Sequence, residues 1–442
     1  MVVNPLPAEM ETKPKQQTNW SANITYTTNI LHEVTSIDQI QALLRSHEKV
    51  KVAGTAHTFN AIADTAGIRL SLKLMPEVLH LNAAARTVTV SAGIRYDQLC
   101  PVLHRHGFAL PNLASFMELS VVGACSTAAH GSGDKCGNLA TAISALEMVT
   151  SNGDVVKLSR EADAEIFPGA VVGLSALGIV TNITLDLQPA FTMRQYVYEN
   201  LPLAAVKAHF DTIMSTAYSV SLFTDWQGER MTQVWIKIRD NDDDEPTFAA
   251  PESFFGATRQ TTNLNMTFGT HVEHCTQQMG IPGPTHERLP HFRVGFLAPV
   301  GNELQSEYFV PRRHAVDAIM AVESLRDDVT PHLFISEIRT IAADDLWMST
   351  CYGRDSVAIH FTWKHDWAAV RRVLPLIELA LAPFDPRPHW GKLFAMTPQQ
   401  VQSKYARLDE FRRLAAKFDP HGKFRNAFLD SHIFTAAPSP PP

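Results

Sequence analysis

Two loops made almost wholly of small residues constrain this chain most: AGTAHTFN (53–60) and SVVGACSTAAHGSG (120–133). Such side chains add little to a hydrophobic core. What they permit is close approach of the backbone to another group. Successive amide N–H groups in loops of this kind form concave nests that hold a pyrophosphate without a lysine. Either loop alone is commonplace, but the two in order within one β-rich stretch point to a phosphate-bearing ligand. His57 stands in the middle of the first, where nothing bulky is expected to fit.

The surrounding pattern is regular. Ser36 and Gln39 have capping-box spacing, and Ile37, Ile40, Leu43 and Leu44 mark one apolar helix face. KVKVAG reads as a strand entering the first loop. RTVTVS (86–91) alternates, YDQLCPVLHRHG has helical spacing to Gly107, and Asn152-Gly153 marks a hairpin turn. GIVTNITLDLQP (178–189) is a strand stopped by Pro189. Beyond about residue 190, apolar helical stretches such as LPLAAVKAHFDTIMSTA alternate with long strands such as TQVWIKIR and DSVAIHFTWK. Segregation of this kind implies α+β, with two domains meeting near residue 190. DNDDDEP (240–246) and PGPTHERLPH (282–291) read as surface loops, the acidic run as a solvated turn rather than a calcium site.

Several chemistries are disfavoured. Among 442 residues, 38 basic against 45 acidic side chains give a net charge of −7, so nucleic acid is not an expected partner. No run approaches the ~20 apolar residues of a membrane span. Residues 1–18 lack a signal-peptide core and read as a flexible tail, like the Pro-rich 435–442. Five scattered cysteines without a C-x-x-C suit reduced thiols in a cytoplasm. HGSGDKCG has glycines at 131, 133 and 137, which is not the dinucleotide fingerprint. GLSAL lacks the last glycine of a nucleophile elbow. HVEHC (271–275) offers two histidines and a cysteine without a fourth ligand, so no metal is expected.

The second half supplies candidate chemistry. Glu337 and Arg339 in FISEIRT lie two apart, on one face of a strand. In SVAIHFTWK, Val357, Ile359, Phe361 and Trp363 take one face and His360 the other. Lys392 is bracketed by Trp390, Gly391, Leu393 and Phe394. Jointly, in otherwise apolar segments, these residues suggest a lined polar cavity.

NWSANITYTT, GTAHTFN, LPNLAS, AAHGSG, SVSLFTDW, GPTHERLPHF, LQSEY, EIRT, HFTW, RPHWGK and FDPHGKFRNAF together resemble the vanillyl-alcohol-oxidase-type FAD-linked oxidases, most closely the polyol-oxidising bacterial members. The resemblance runs from about Asn19 to Phe428. It implies a PCMH-type FAD-binding domain (19–189), a cap or substrate domain with an antiparallel sheet flanked by helices (190–414), and a C-terminal segment (415–434) returning to the first. His57 would carry FAD covalently, although the family's usual Gly-His-Ser is here Ala56-His57-Thr58. The other residues expected at the cofactor are Ala53, Gly54, Thr55, Ser115, Ser120, Gly123, Ser126, Thr127, His130, Gly131, Gly178, Ile179 and Val180. Ser115, Glu337, Arg339, His360 and Lys392 would surround the substrate, with His360, Lys392 and Arg339 catalytic. The implied reaction oxidises the C1 hydroxyl of an alditol such as xylitol or sorbitol, with O2 as acceptor, in a cytoplasmic monomer. Sugar-1,4-lactone oxidation is the alternative.

Overall fold

The computed structural model describes residues 17–240, 248–267, 270–295 and 302–435. From residue 241 the acidic run lies outside the described residues, as does most of each expected tail.

The chain begins with a small parallel sheet. Leu31–Glu33 (β1), Val50–Val52 (β2) and Ile68–Ser71 (β3) pair in the order β1-β3-β2, with helix α1 (Ile37–Ser46) joining the first two. Ser36 accepts from the Gln39 amide, while the Gln39 side chain returns to the Thr35 N–H at 2.8 Å. Ile40 and Leu44 of α1 are buried against Val50, Ile68 and Leu70, each contributing about 1.5–3 kcal/mol.

A second, antiparallel sheet follows. Its strands are Leu79–Asn82 (β4), Thr87–Ser91 (β5), Ile143–Val149 (β6), Val155–Ser159 (β7) and Ile179–Asp186 (β8), in the order β4-β5-β8-β6-β7. Helices Tyr96–Arg105 (α2) and Val121–Ser126 (α3) lie between β5 and β6 in the chain. The β6–β7 hairpin closes through a Thr150 N–H to Asp154 carbonyl bond of 2.9 Å, with Gly153 at φ 91°. The turn is therefore a three-residue loop with glycine in the left-handed position, not a two-residue Asn-Gly turn.

The second half is built on one large antiparallel sheet. Thr192–Pro202 (β9), Ser219–Thr224 (β10), Arg230–Arg239 (β11), Glu303–Pro311 (β12), Leu333–Ile341 (β13) and Ser356–Lys364 (β14) pair in the order β9-β11-β10-β13-β14-β12. Val357, Ile359, Phe361 and Trp363 of β14 are fully buried in a core shared with Ile319 and Val322 of α4 (Ala315–Glu323) and Val370 and Ile377 of α5 (Trp367–Leu381). Helices occupy the apolar face, so the polar face is turned toward the first half. Contrary to expectation, much of 282–291 is interior. Gly283–Pro284 pairs with β9, and Thr285, Arg288, Leu289 and His291 are buried. Arg288 can be interior because its guanidinium donates to the carbonyls of Ile281, Pro282 and Glu287.

The C-terminal segment closes onto the beginning. The Lys423 carbonyl accepts from Val50 N–H at 3.0 Å, and the Phe424 carbonyl accepts from the buried Lys51 ammonium. Asn426 donates to the carbonyls of Ala61, Ile62 and Asp64. No helix among the described residues is long and apolar enough to cross a membrane.

The HGSG segment is threaded tightly past LPNLAS. A Cβ built at Gly131 clashes with Asn112 Oδ1 and the Leu113 carbonyl oxygen. Gly131→Ala should lower stability by about 1–3 kcal/mol, read as a shifted urea midpoint; an unshifted midpoint would contradict this close approach.

Candidate active site

The two small-residue loops lie side by side. A Cβ on Gly54 would come within 2.7 Å of Ser120 Oγ, and one on Gly123 within 2.5 Å of the same atom. Ala56 adopts φ 59°, the left-handed conformation that glycine takes freely, at a cost of about 1 kcal/mol for alanine. A 2.8 Å bond from the Trp20 N–H to the Ala56 carbonyl holds it there.

His57 lies between Trp20, stacked at 5.4 Å, and Phe116 at 5.2 Å. Both ring nitrogens are buried without a hydrogen bond. Burial, only partly offset by the Thr55 backbone, pulls the imidazole down to about 4, so at neutral pH it is an uncharged ring with a free lone pair. A buried polar group left without a partner is costly. An orphaned imidazole beside a cradle of small residues fits a flavin cofactor.

The remaining cofactor candidates are spread over three segments. Ala53 N–H bonds the Leu70 carbonyl at 2.7 Å, and the Thr58 carbonyl accepts from Asn19. Thr55, Ser126 and Thr127 are half-buried. Ile179 pairs with Val149 and Val180 with Met148, while Gly178 passes close to the Val149 carbonyl. Ile179 itself faces the core of the small sheet. His130, expected in the cofactor loop, instead points into the second half, where Nε2 donates to Glu307 Oε1 at 3.1 Å. Gly133 N–H binds the Thr340 carbonyl at 2.9 Å and fixes this loop to β13.

Register builds the polar face. Glu337 of β13 and Glu307 of β12 stand opposite His360 of β14 from either side. Directly opposed residues share a face, so an acid, an imidazole and a second acid form one row. Arg339 bonds Glu307 at 2.8 Å, approaches Glu337 at 3.5 Å, and reaches Ser115 Oγ at 3.4 Å. Lys392 Nζ binds Glu307 Oε2 at 2.7 Å. Its segment is docked on the His57 loop: Asn60 donates to the carbonyls of Trp390 and Lys392, and Phe59 N–H to that of Gly391. All five substrate candidates therefore meet at one sheet face, beside the loops.

Protonation follows from the partners. Burial would raise the Glu307 carboxyl, but Lys392, His130 and Arg339 outweigh it and hold it well below the usual range. Glu337 is likewise ionised despite burial, chiefly through Arg339 and then His291. Burial and then Lys392 push His360 well below its ordinary value, so it is neutral. The Gln305 amide nitrogen is committed to Glu303, which leaves Gln305 Oε1 facing His360 Nε2 at 3.1 Å. Nε2 must carry the ring proton, and Nδ1 is the basic nitrogen.

Glu307, Gln305, His291 and Lys237 were not among the sequence candidates. Glu307 and Gln305 had a signal: in ELQSEYFVP they share the period-2 face opposite Leu304, Ser306 and Tyr308. His291 had none, being in a polar loop. Its Nε2 donates to Glu337 at 2.7 Å and its Nδ1 accepts from Lys237 at 3.1 Å, which only the neutral ring satisfies. Among the described residues no cluster of three His, Cys, Asp or Glu could hold a metal ion. All five cysteines are buried and none is joined in a disulfide.

Residues 29–159 match the FAD-binding domain family and 302–432 match the D-arabinono-1,4-lactone oxidase family. The whole fold resembles cholesterol oxidase from B. sterolicum, with a TM-score of 0.76, 15% identity and coverage of 98% of this chain and 100% of that one. These are the parts of an FAD-linked oxidase. Over 415 residues the chain is 45% identical to the alditol oxidase of Streptomyces sp., covering 93% of this chain and 97% of the relative. L-gulonolactone oxidase of Mus musculus is 25% identical, covering 96% and 99%. The chain belongs to the alditol oxidase family of FAD-binding oxidoreductases.

Burial and Lys237 hold His291 down to about 4, against 6.5 for a free ring, and His360 and His389 are lowered too. Below about pH 6.5 the unfolded chain therefore binds protons that the folded chain does not, and stability falls as pH drops toward about 4. His291→Gln should make the slope of unfolding free energy shallower in this window, by up to about 1.4 kcal/mol per pH unit. Urea titrations between about pH 7 and pH 5 measure it; an unchanged slope would mean the ring is not held neutral.

Proposed function

We propose that this protein is an alditol oxidase, converting the terminal C1 hydroxyl of a polyol such as xylitol or sorbitol to the aldose and yielding hydrogen peroxide. The observation carrying this reading is the convergence of Ser115, Glu337, Arg339, His360 and Lys392 on one sheet face. A chain of hydroxyls needs such a mixture, with carboxylates to accept and cations to donate hydrogen bonds. Buried partners left unpaired then disfavour analogues lacking a hydroxyl.

Bound FAD would supply the hydride acceptor for C1 and a route for the electrons to dioxygen. Ala53–Thr58 and Ser120–Gly131 would hold it, and His57, neutral and unpartnered, would be its point of covalent attachment. Lys392 and Arg339 stabilise alkoxide character at C1. His360 accepts the hydroxyl proton at Nδ1. Glu337 and Ser115 position the more distal hydroxyls. Five buried cysteines joined by no disulfide suit a reducing compartment, and we place the enzyme in the cytoplasm as a monomer.

A lactone-oxidase reading draws on the family match over 302–432. The greater identity to alditol oxidase over nearly the full length weighs against it. A peroxide-coupled screen of xylitol, sorbitol, glycerol and aldonolactones decides: turnover of the alditols is expected, and preference for lactones would overturn the assignment.

Two further outcomes are expected. Yellow colour should stay with the polypeptide after acid precipitation and should be lost to the supernatant in His57→Ala. Lys392→Met should slow anaerobic flavin reduction by a polyol roughly 100-fold or more in stopped flow; an unchanged rate would remove Lys392 from the chemistry.

A further inference from the structure

Glu307 has no exposed surface, yet its side chain meets three basic side chains from three separate parts of the chain. Oε1 accepts from His130 at 3.1 Å and Arg339 at 2.8 Å, and Oε2 from Lys392 at 2.7 Å. Its own carbonyl accepts from the His389 N–H at 3.0 Å, in the segment that carries Lys392. The Lys392 side chain is 14% exposed against 0% for Glu307, so the carboxylate is the more deeply buried of the pair. We infer that Glu307 is a positioning residue of the reaction: from behind the reacting groups it keeps Lys392 an ammonium, sets Arg339, and fastens both to the 128–133 loop through His130.

This inference rests on the reading of Lys392 as the group that stabilises C1 alkoxide. The charged and titratable groups facing Lys392 and Glu307 are His130, Arg339, Glu337, His360, His389 and Glu303. Glu337 is already engaged by Arg339 and His291. Without the charge on Glu307, Lys392 would face Arg339 with its nearest counter-ion gone. A buried ammonium in that position gives up its proton, whereas a guanidinium cannot. The electrophile would then be lost as pH rises.

The test is the pH profile of kcat/KM for wild type, E307Q, E307D, K392M and the double variant E307Q/K392M, with flavin content and thermal midpoint recorded for each. In E307Q the alkaline limb should move down by about one pH unit or more, and kcat/KM near neutrality should fall roughly 100-fold. In the K392M background E307Q should cost less than it does in wild type, leaving only the part that acts through Arg339. An unmoved limb in folded, flavin-loaded E307Q, or full additivity with K392M, would overturn the inference. Should E307Q fail to fold, E307D carries the test: its shorter reach should move the limb the same way by less, and an unmoved limb again overturns it. Any substrate class that reduces the wild-type flavin serves for the profile, so failure with polyols would sink the polyol reading and leave this test standing.

Discussion

A carboxylate taken wholly out of water governs this molecule. Removing a charge from solvent costs several kcal/mol unless good hydrogen bonds and opposite charge replace the water, and Glu307 has both. Its partners come from a loop of the first half, a central strand of the second, and the segment that follows α5. Each of those segments is anchored independently: Gly133 to β13, Arg339 within its ladder, and Lys392 to Asn60. The cluster therefore joins the first half to the large sheet of the second by electrostatics as well as by apolar contact, and it sets where the cationic groups stand.

Around that anion the site alternates charged and neutral groups in a fixed order. Lys237, His291 and Glu337 form one hydrogen-bonded line, and Glu303, Gln305 and His360 another. In each line the outer residue dictates which nitrogen of the histidine holds its proton. Such an arrangement needs little reorganisation when charge develops on a substrate oxygen. It also explains how so many ionisable groups coexist in a small volume: the His291 and His360 imidazoles are uncharged, and the Lys392 and Arg339 cations lie against the Glu307 and Glu337 carboxylates.

Much of this was legible beforehand. Alternation alone put Glu337, Arg339 and His360 on polar faces, and two runs of small residues marked the cradle beside His57. What stayed hidden depends on register, which side-chain pattern does not carry across strands distant in sequence. Glu307 lies 53 positions from the His360 it faces, and nothing local to LQSEY announces that neighbour. His291 was obscured for another reason: PGPTHERLPH has the composition of a surface loop, and its burial is possible only because backbone carbonyls satisfy Arg288 and Lys237. The Asn-Gly pair located its hairpin correctly, yet the turn uses only the glycine's left-handed freedom.

The closure of the last segment over the first has a consequence for biosynthesis. Nascent domains ordinarily fold in the order in which they leave the ribosome. Here the edge at Val50 and the turn at 61–64 lack their hydrogen-bonding partners until residues 423–426 have been made. The loop bearing His57 also waits for Gly391 and Lys392. The amino-terminal half must therefore emerge as an unfinished vessel, sealed only once residues 391–426 have been made.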